Sequence, residues 1–429
     1  MKKLVKLIFI FLLFTNFIFA EVKNVVLMIA DGMGLAAIDC ARIFLVGKEN
    51  LLEFEKADFV GIVKTYSEDS LVTDSAAAAT AMSCGIKTKN RYLGIKEDKS
   101  WAENIVELAK KNGKSTGLIT TVSITHATPA GFVAHTDSRD EIVVAQQYIE
   151  FKNVDLFLGG GEEYFLPRTV NGSKRLDDRD LVIEFKDAGY TIIGTKEELL
   201  NLDIYKTKKL LGLFKDLDKV YYIDRKFLGL ENLPTLAEMS KVALEILSKN
   251  KNGFFLMIEG GKIDWGCHNN DIATVLWEIF EFNEAVKEVL KFLSKNKNTL
   301  IIITSDHETG GLGLSSKDYR FYPEKIRNQK ISAEQIAKLL KGKTNNEIKE
   351  KFKEYTGVED LSLEEIEKIK KGDAKEIGKI ISSRIEIGWT TKTHSGSSVI
   401  LYAFGKKAEV FRGVYENTEI FNKIVQVMS

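Results

Sequence analysis

Residues 25–34 read VVLMIADGMG, a continuous apolar run followed directly by an acid and two glycines. An apolar run of this length is typical of a strand that is buried on both faces of a parallel sheet. The glycines permit a tight turn and the close approach of a ligand. The stretch therefore predicts a central strand with Asp31 at its carboxyl end, where such sheets bind their ligands.

Similar apolar runs recur along the chain at residues 116–121, 154–158, 253–258, 300–304 and 399–404. Helical patterns lie between them at residues 101–111, 141–151, 236–249 and 273–294. This alternation predicts an α/β fold with a large, mostly parallel central sheet sandwiched by helices. Polar residues that follow the runs, namely Asp31, Glu259 and the pair Asp306-His307, are expected at one edge of that sheet.

Two regions depart from the alternation. Residues 196–233 are lysine-rich and aromatic, which indicates loops and short helices over the edge of the sheet. Residues 316–385 are densely charged, with helical patterns at 333–340 and 363–370. Because the sheet pattern resumes after them, we interpret residues 316–385 as an inserted cap or lid in a catalytic domain formed by residues 21–315 and 386–429.

The first twenty residues predict a secretory signal peptide. A lysine-bearing start precedes an apolar stretch at 7–19, and Ala20 stands before the charged Glu21. We expect an exported protein, periplasmic or extracellular, with no stable membrane span after cleavage. An uncleaved N-terminal anchor is the alternative, because Ile18 stands three positions before the expected cleavage, at the minus-three position, where a small residue is usual.

Charge and cysteine content exclude two classes of protein. Without residues 1–20 the chain has 58 basic and 61 acidic residues, and this lack of a basic excess indicates no nucleic-acid partner. Three cysteines, Cys40, Cys84 and Cys267, are too few for a disulfide framework. Whether two of them form a single bridge is left open by the sequence.

Residues 71–82 place Asp74-Ser75 directly before an alanine-rich stretch. Asp and Ser are preferred where helices begin, and alanine is the best helix former. A helix N-terminus favours a bound anion, so Ser75 is well placed to attack and then carry a phosphoryl group. Taken alone, the stretch is more typical of an ordinary N-cap on a buried helix.

The histidines strengthen the catalytic interpretation. The chain has five, at positions 126, 135, 268, 307 and 394, each beside acids, hydroxyls or glycines. Asp264 and His268 are four residues apart, so on a helix they share a face and can bind one metal ion. Imidazole with carboxylate suits zinc, whereas carboxylate with hydroxyl suits magnesium. Any one of these pairs alone would more often be a surface ion pair or a turn.

Seven segments resemble those of the alkaline phosphatase family, in the family's order. They are ADGMG at 30–34, TDSAA at 73–77, HATPA at 126–130, SR at 138–139, EGGKIDWGCH at 259–268, SDHETGG at 305–311 and TH at 393–394. Together they span nearly the whole mature chain apart from residues 316–385. The resemblance implies an exported enzyme that hydrolyses a broad range of phosphate monoesters through a phosphoserine at Ser75, with Arg139 holding the phosphate.

The same resemblance implies two zinc ions and one magnesium ion per chain. It assigns the first zinc to Asp264, His268 and His394, and the second to Asp31, Asp306, His307 and, in the resting enzyme, Ser75. It assigns the magnesium-type site to Asp31, Thr128 and Glu259.

Two residues depart from the best-studied bacterial pattern of the family. His126 stands near the third metal where some members carry Asp, so we expect weaker magnesium binding or a softer ion there. Trp265 stands where some members carry a phosphate-binding Lys, which predicts weaker product binding. His135 is interpreted as a residue behind the site or a structural one, and Cys267 as a small buried thiol.

Two other functions compete with this one. A diesterase or sulfatase on the same metal core would be expected to use a Thr or a modified Cys rather than Ser75. A periplasmic metal- or phosphate-binding protein would not need a nucleophile. The sequence leaves open the physiological substrate, the role of residues 316–385, and whether the protein is a monomer or a homodimer.

Overall fold

A ten-stranded sheet organises residues 22–428, the part of the chain that this computed structural model describes. The predicted signal peptide, residues 1–20, lies outside the described residues. Among the helices of residues 22–428, none is long and apolar enough to cross a membrane.

Most of the described strands form this central sheet, and four short ones form two small ribbons. The strands are β1 (Asn24–Ala30), β2 (Phe59–Lys64), β3 (Ser115–Ser123), β4 (Leu156–Gly160), β5 (Thr191–Ile193), β6 (Leu210–Leu213), β7 (Phe254–Gly260), β8 (Thr299–Thr304), β9 (Glu308–Thr309), β10 (Leu312–Leu314), β11 (Ile387–Trp389), β12 (His394–Ser395), β13 (Val399–Gly405) and β14 (Gly413–Glu416).

The order across the central sheet is β14-β2-β13-β8-β1-β7-β3-β4-β6-β5. Within it, β13 runs antiparallel to its neighbours β8 and β2, and the other pairings are parallel. The mostly parallel α/β sheet expected from the apolar runs is therefore confirmed.

Strand β1 shows why the apolar runs are uninterrupted. Val26 and Met28 pack into one hydrophobic core, and Val25 and Leu27 pack into a second core on the opposite face. Successive side chains of a strand point to opposite faces, so a strand covered on both sides must be apolar at every position.

Helices cover both faces of the sheet. The α-helices are α1 (Leu35–Leu45), α2 (Ser75–Cys84), α3 (Ile105–Lys111), α4 (Ala127–Ala130), α5 (Glu141–Phe151), α6 (Leu181–Asp187), α7 (Lys196–Leu200), α8 (Arg225–Leu228), α9 (Leu236–Leu247), α10 (Lys262–His268), α11 (Ile272–Lys295), α12 (Ala333–Leu340), α13 (Asn345–Thr356), α14 (Leu363–Lys371), α15 (Ala374–Ile385) and α16 (Thr418–Met428). Short 3₁₀ helices are Glu53–Lys56, Glu162–Tyr164, Leu217–Lys219, Tyr222–Asp224, Pro323–Asn328 and Ala408–Phe411.

The expectation for residues 196–233 was partly wrong. Short helices are present, but β6 is a fully buried strand inside the central sheet, paired with β4 and β5. A four-residue apolar run is too short to give a periodic signal, and its burial depends on neighbours that are distant in sequence.

Residues 316–385 contain the helices α12 to α15. Ile336, Phe352 and Ile366 of these helices join the same core as one face of the sheet. The segment is flanked by β10 and β11, which pair antiparallel with Leu312 opposite Trp389. Its assignment as a cap or lid stays a prediction.

Candidate active site

Three neighbouring strands bring the buried acids together. In the order β8-β1-β7, Ile29 near the end of β1 is paired with Thr304 of β8 on one side and with Glu259 of β7 on the other. Asp31 and Asp306 follow β1 and β8 within two residues of their ends. Parallel pairing therefore places three carboxylates at one edge of the sheet.

Helix α2 presents Ser75 to this edge. Asp74 caps the helix, with its Oδ1 accepting a hydrogen bond from the N–H of Ala77 at 2.9 Å. All of α2 is buried, which the small side chains of its sequence SAAAATAMSC allow. The Oγ of Ser75 lies 3.2 Å from Nε2 of His307, so the hydroxyl faces the ligand groups described next.

Arg139 is held beside the start of α2. Its Nη1 donates to Oδ2 of Asp74 at 3.3 Å. The backbone N–H of Arg91 donates to the same carboxylate oxygen at 3.0 Å. Asp74 thus fixes both the helix that carries Ser75 and the guanidinium next to it, and that planar guanidinium can bind two oxygens of a phosphate.

A first group of possible metal ligands consists of Asp264, His268 and His394, whose ligand atoms lie within 4.8 Å of one another. Nε2 of His268 is 3.2 Å from Oδ2 of Asp264, and Nε2 of His394 is 3.6 Å from Oδ1. The two Nδ1 atoms bind backbone carbonyls, those of Lys392 at 2.7 Å and Thr73 at 2.9 Å. Because each Nδ1 then carries the proton, each Nε2 is left with a lone pair for a metal ion.

A second group lies deeper. Nε2 of His307 is 3.2 Å from Oδ2 of Asp306 and 3.5 Å from Oδ1 of Asp31, and all three side chains are fully buried. Oδ1 of Asp306 accepts from the N–H groups of Gly32 and His307, which leaves its other oxygen facing the imidazole. Asp31, Asp264 and His307 also lie within 4.8 Å of one another, so the first and second groups adjoin.

A third group joins Asp31 to His126 and Glu259, again with ligand atoms within 4.8 Å. Oε2 of Glu259 accepts a hydrogen bond from the hydroxyl of Thr120. Thr128, on the short helix α4 that follows His126, is fully buried. The predicted ligands in these groups therefore converge from segments that are far apart in the chain.

Buried polar atoms without hydrogen bonds test whether this arrangement fits metal ions. Among residues 22–428, such atoms include both carboxylate oxygens of Asp31, Nδ1 of His126, Oγ1 of Thr128, Oε1 of Glu259 and Oδ2 of Asp306. Leaving a buried polar atom unpaired is costly. Oxygen and nitrogen lone pairs gathered in this way are the donors that divalent cations take, so the residues present fit the predicted ions.

The pKa values of the deeper acids also fit the binding of cations. Burial is the largest cause that raises the pKa of Glu259 to about 7 and that of Asp306 to about 6. Burial and the charge of Asp306 raise the pKa of Asp31 well above its usual value. Such closely packed carboxylates repel one another unless protons or cations neutralise them.

The first group behaves differently. Burial alone would raise the pKa of Asp264, but the hydrogen bond and charge of His268, aided by the other imidazoles, lower it well below its usual value. The pKa of His268 is raised by Asp264 even though burial opposes this. In the third group, burial and then the charge of Arg139 lower the pKa of His126 to about 3, so this imidazole is neutral near pH 7.

Two residues at the site were missed by sequence reasoning. The hydroxyl of Thr309 donates to Oδ1 of Asp264 at 2.6 Å and lies 3.2 Å from Nδ1 of His307, so it links two ligand groups. Nδ2 of Asn270 donates to the carbonyls of Cys267 and Thr391 at 3.1 and 3.0 Å. Thr309 lies inside a motif, which is a usable signal, whereas nothing in the sequence marks Asn270.

Other residues singled out from the sequence lie beside or away from the ligand groups. Trp265 packs edge-on against His126, with ring centroids 6.0 Å apart. His135 stacks on Trp101, and its Nδ1 lies 2.7 Å from the carbonyl of Gly94, which indicates a structural role. The three cysteines are all free and buried.

Carboxylate–imidazole groups at the strand ends of a parallel α/β sheet, next to a serine at a helix N-terminus, fit a metal-dependent phosphomonoesterase. The family model for alkaline phosphatase matches residues 22–429. The chain belongs to the alkaline phosphatase family, and its activity is that of a metal-dependent phosphomonoesterase.

Individual relatives agree with this membership. Alkaline phosphatase 4 of Bacillus subtilis (strain 168) is 36% identical, over 95% of this chain and 89% of the relative. The crystal structure of Thermus thermophilus alkaline phosphatase matches with a TM-score of 0.86 and 31% identity, covering 95% of this chain and 91% of that one. A His→Asp variant of the alkaline phosphatase from the Antarctic bacterium TAB5, with Mg bound in its M3 site, matches with a TM-score of 0.67 and 31% identity, covering 95% and 98%.

Proposed function

We propose that this alkaline phosphatase works through a phosphoserine intermediate on Ser75, with two zinc ions and one magnesium-type ion. The observation that carries the proposal is the position of the Ser75 hydroxyl. It lies at the N-terminus of α2 and 3.2 Å from Nε2 of His307, beside the buried ligand groups. A serine that served only to begin the helix would not need to lie beside these groups.

The three ligand groups would hold the ions. Asp264, His268 and His394 would hold the first zinc, and Asp31, Asp306 and His307, with Ser75, the second. Asp31, Thr128 and Glu259 would hold the magnesium-type ion, with His126 beside them. When bound, the ions would supply the positive charge that stabilises the attacking and leaving oxygens of an in-line phosphoryl transfer.

The chain's own residues then orient the reaction. Arg139, steadied by Asp74, binds two non-bridging oxygens of the substrate phosphate and turns its phosphorus toward Ser75. The Oγ of Ser75 gives its proton to water and bonds to phosphorus as the bond from phosphorus to the alcohol oxygen breaks. The alcohol leaves after taking a proton from water. Phosphoryl transfer depends mainly on such positioning and charge neutralisation.

A water molecule completes the cycle. It attacks the phosphorus of the phosphoserine from the side that the alcohol left, the bond from phosphorus to Oγ breaks, and inorganic phosphate and the free hydroxyl of Ser75 are formed. The positive end of the α2 dipole and the guanidinium of Arg139 favour the anion in both steps. Because these contacts are all to the phosphoryl group, we expect a broad range of phosphate monoesters as substrates.

The identity of the third ion depends on His126, which adds a nitrogen ligand to an oxygen-rich group. The Mg-bound TAB5 structure is a variant in which Asp replaces a His. We propose that His126 disfavours magnesium and admits a softer ion in this chain. A magnesium titration of His126→Asp against the wild type tests this, and equal magnesium affinities would contradict it.

Export is part of the same proposal. Cleavage of a signal peptide at residues 1–20 would place the mature enzyme in the periplasm or outside the cell. N-terminal sequencing of protein recovered from the periplasmic or secreted fraction tests cleavage after Ala20. A protein that keeps residues 1–20 and stays with the membrane would favour the anchor instead.

The mechanism is tested by trapping the intermediate. Metal-loaded wild type, quenched in acid during turnover, should yield a peptide phosphorylated on Ser75 by mass spectrometry. Ser75→Ala should yield none and lose nearly all turnover. Ser83→Ala is the matched control, because Ser83 lies on the same helix but bonds the carbonyl of Gly131. Near-normal hydrolysis by metal-loaded Ser75→Ala would overturn the mechanism.

The relative turnover of three substrates distinguishes a phosphomonoesterase from a diesterase or a sulfatase. Turnover of a nitrophenyl phosphate, a phosphate diester and a sulfate ester should be compared on one preparation, and the monoester should be the fastest by a wide margin. Faster turnover of the diester or the sulfate would favour the alternative metal-core enzymes.

A further inference from the structure

A second polar cleft lies at the opposite edge of the sheet from the ligand groups. It sits where β3, β4 and β6 begin, next to the ends of α3 and α9, and has a volume of 440 Å³. Clefts of this volume accommodate small molecules. The length of the strands separates this cleft from Ser75 by roughly 15–30 Å, at about 3.3 Å per residue.

The cleft is strongly basic. The charged residues that line it are Lys110, Lys114, Lys208, Lys209, Lys249 and Asp155. The single acid is already neutralised, because Nζ of Lys110 donates to both oxygens of Asp155 at 2.8 and 2.9 Å. Lys114 is also engaged, since its Nζ donates to the carbonyls of Lys23 and Asn252.

Three of the lysines are not held in ion pairs. Among residues 22–428, the salt bridges within 4.0 Å do not include Lys208, Lys209 or Lys249, whereas the neighbouring Lys206 pairs with Asp203. Two of these lysines lie near aromatic rings. Nζ of Lys209 is 5.0 Å from the ring centroid of Tyr190, and Nζ of Lys249 is 5.8 Å from that of Tyr205. Partial burial lowers the pKa of Lys249, against the opposing charges of Asp203 and Glu245.

We propose that this cleft binds a small anion of high charge, such as a condensed phosphate. Three unpaired ammonium groups around one concave space repel one another, and a compact polyanion would remove that repulsion while fitting the volume. A single monovalent anion would leave most of the charge uncompensated. The lysine-rich segment that stood out in the sequence at 196–233 supplies two of the three lysines, so the proposal also accounts for that composition.

The shape of the site favours a small anion over a macromolecule. The lysines line one cleft of 440 Å³, whereas nucleic acid is bound by basic residues spread over a face or along a helix. The chain as a whole carries no net positive charge to attract an anionic membrane. The proposed site lies at the other edge of the sheet from Ser75 and does not depend on the proposed mechanism there.

The test uses the metal-loaded, full-length mature protein and a pyrene trisulfonate dye, which is a polyanion but not a phosphate ester. Dye binding is followed by fluorescence anisotropy at low ionic strength, because exposed charges are screened by salt. Tripolyphosphate, added with an equal concentration of magnesium so that it does not strip the protein of metal, is the competitor. Inorganic phosphate, an oligonucleotide and anionic vesicles are tested in parallel.

The variant Lys208→Ala/Lys209→Ala/Lys249→Ala should weaken dye and tripolyphosphate binding at least about tenfold, as loss of several charge contacts predicts. The matched control replaces three exposed lysines elsewhere, Lys96, Lys174 and Lys297, and should bind as the wild type does. Arginine at the same three cleft positions should restore binding. Hydrolysis of nitrophenyl phosphate should be unchanged in every variant, which keeps this test separate from that of Ser75.

Several results would overturn the proposal. These are the absence of dye binding by the wild type, equal binding by the cleft variant and the control, or displacement of the dye by inorganic phosphate as readily as by tripolyphosphate. Displacement by the oligonucleotide or the vesicles but not by tripolyphosphate would assign the lysines to a different class of partner and would equally overturn it.

Discussion

The first and second ligand groups adjoin each other, yet they are held in different ways. Asp31, Asp306 and His307 are fully buried at the ends of strands, and backbone N–H groups fix one oxygen of Asp306. In the first group, His268 and His394 are partly exposed and depend on carbonyls of distant segments for their orientation. The deeper geometry follows from the sheet, whereas the outer geometry follows from contacts among loops.

This difference teaches where the site can be adjusted. Neighbouring parallel strands are fixed relative to one another by their hydrogen bonds, so a ligand that directly follows a strand has little freedom. A ligand whose ring is oriented by a carbonyl more than a hundred residues away moves whenever that segment moves. We therefore expect metal binding in the outer group to be the more easily perturbed.

The largest expected effect compares one ligand from each group. Asp306→Ala should reduce kcat/KM by about a thousandfold or more, since a metal ion supplies several kcal/mol to the transition state. Excess zinc should not restore it, because the remaining ligands, Asp31 and His307, are fully buried and no other side chain can take the place of the missing carboxylate. His394→Ala should also lose activity, but millimolar zinc should recover a measurable part.

Turnover and bound zinc, measured by atomic emission at increasing zinc concentration, check this difference. Recovery of both variants to the same extent would show that burial does not distinguish the two groups.

Asn270 allows the outer group to be perturbed without touching a ligand. Its side chain ties the helix that carries Asp264 and His268 to residue 391, close to His394. Asn270 has a φ of +51°, so glycine is the substitution that removes the side chain without straining the backbone. Asn270→Gly should weaken binding of one zinc about 10–100-fold, the usual effect of losing support behind a metal ligand.

Competition with a chromophoric chelator measures that affinity directly. Asn269→Gly is the matched control, because Asn269 contacts the hydroxyl of Tyr221 and not the loop before His394. Equal loss of zinc by the two variants, or loss of both zinc ions together, would contradict the division into a deeper and an outer group.

The deeper acids should make the stability of the fold depend on pH, and differently with and without bound metal ions. With the pKa of Glu259 raised to about 7 and that of Asp306 to about 6, the folded metal-free protein keeps protons that the unfolded chain releases near pH 4. The stability that these protonated groups contribute is present at low pH and is lost as the pH rises through 6 to 7. Bound metal ions replace the protons, so they should stabilise the fold more strongly at higher pH.

The difference in Tm between metal-loaded and chelator-treated protein should therefore widen between about pH 5 and about pH 8. Differential scanning calorimetry at fixed ionic strength gives both Tm values. A difference that stays constant or narrows over this range would contradict the raised pKa values.

The smallest expected effect concerns Trp265, which packs against His126 beside the third group. Trp265→Lys adds a cation near the phosphate, so phosphate should inhibit the variant severalfold more strongly, and turnover should fall wherever product release is limiting. Inhibition constants for inorganic phosphate, measured at one pH and ionic strength, check this. Equal constants for the variant and the wild type would refute the expectation.

The sequence predicted the central strands and the convergence of the deeper acids because each depends on a local pattern. Residues 25–30 are apolar at every position, and Asp31 follows them directly. Thr309 and Asn270 were missed because their roles lie in contacts with other segments. Strands β2 and β14 at one side of the sheet were also missed. β14 (GVYE) is too short for an apolar run, and β2 (FVGIVK) is apolar but has a glycine at its centre and exposes alternate residues to solvent.

The pairing of β10 with β11 has a consequence for how the enzyme can be altered. The chain leaves for residues 316–385 and returns from them at neighbouring positions, with Leu314 opposite Ile387. The loop-closure cost of lengthening a segment between two such fixed points grows slowly, by about 0.6 kcal/mol for each doubling of length. The helices of this segment also bury Ile336, Phe352 and Ile366 in the core, so a replacement must supply equivalent apolar side chains as well as closing the ribbon.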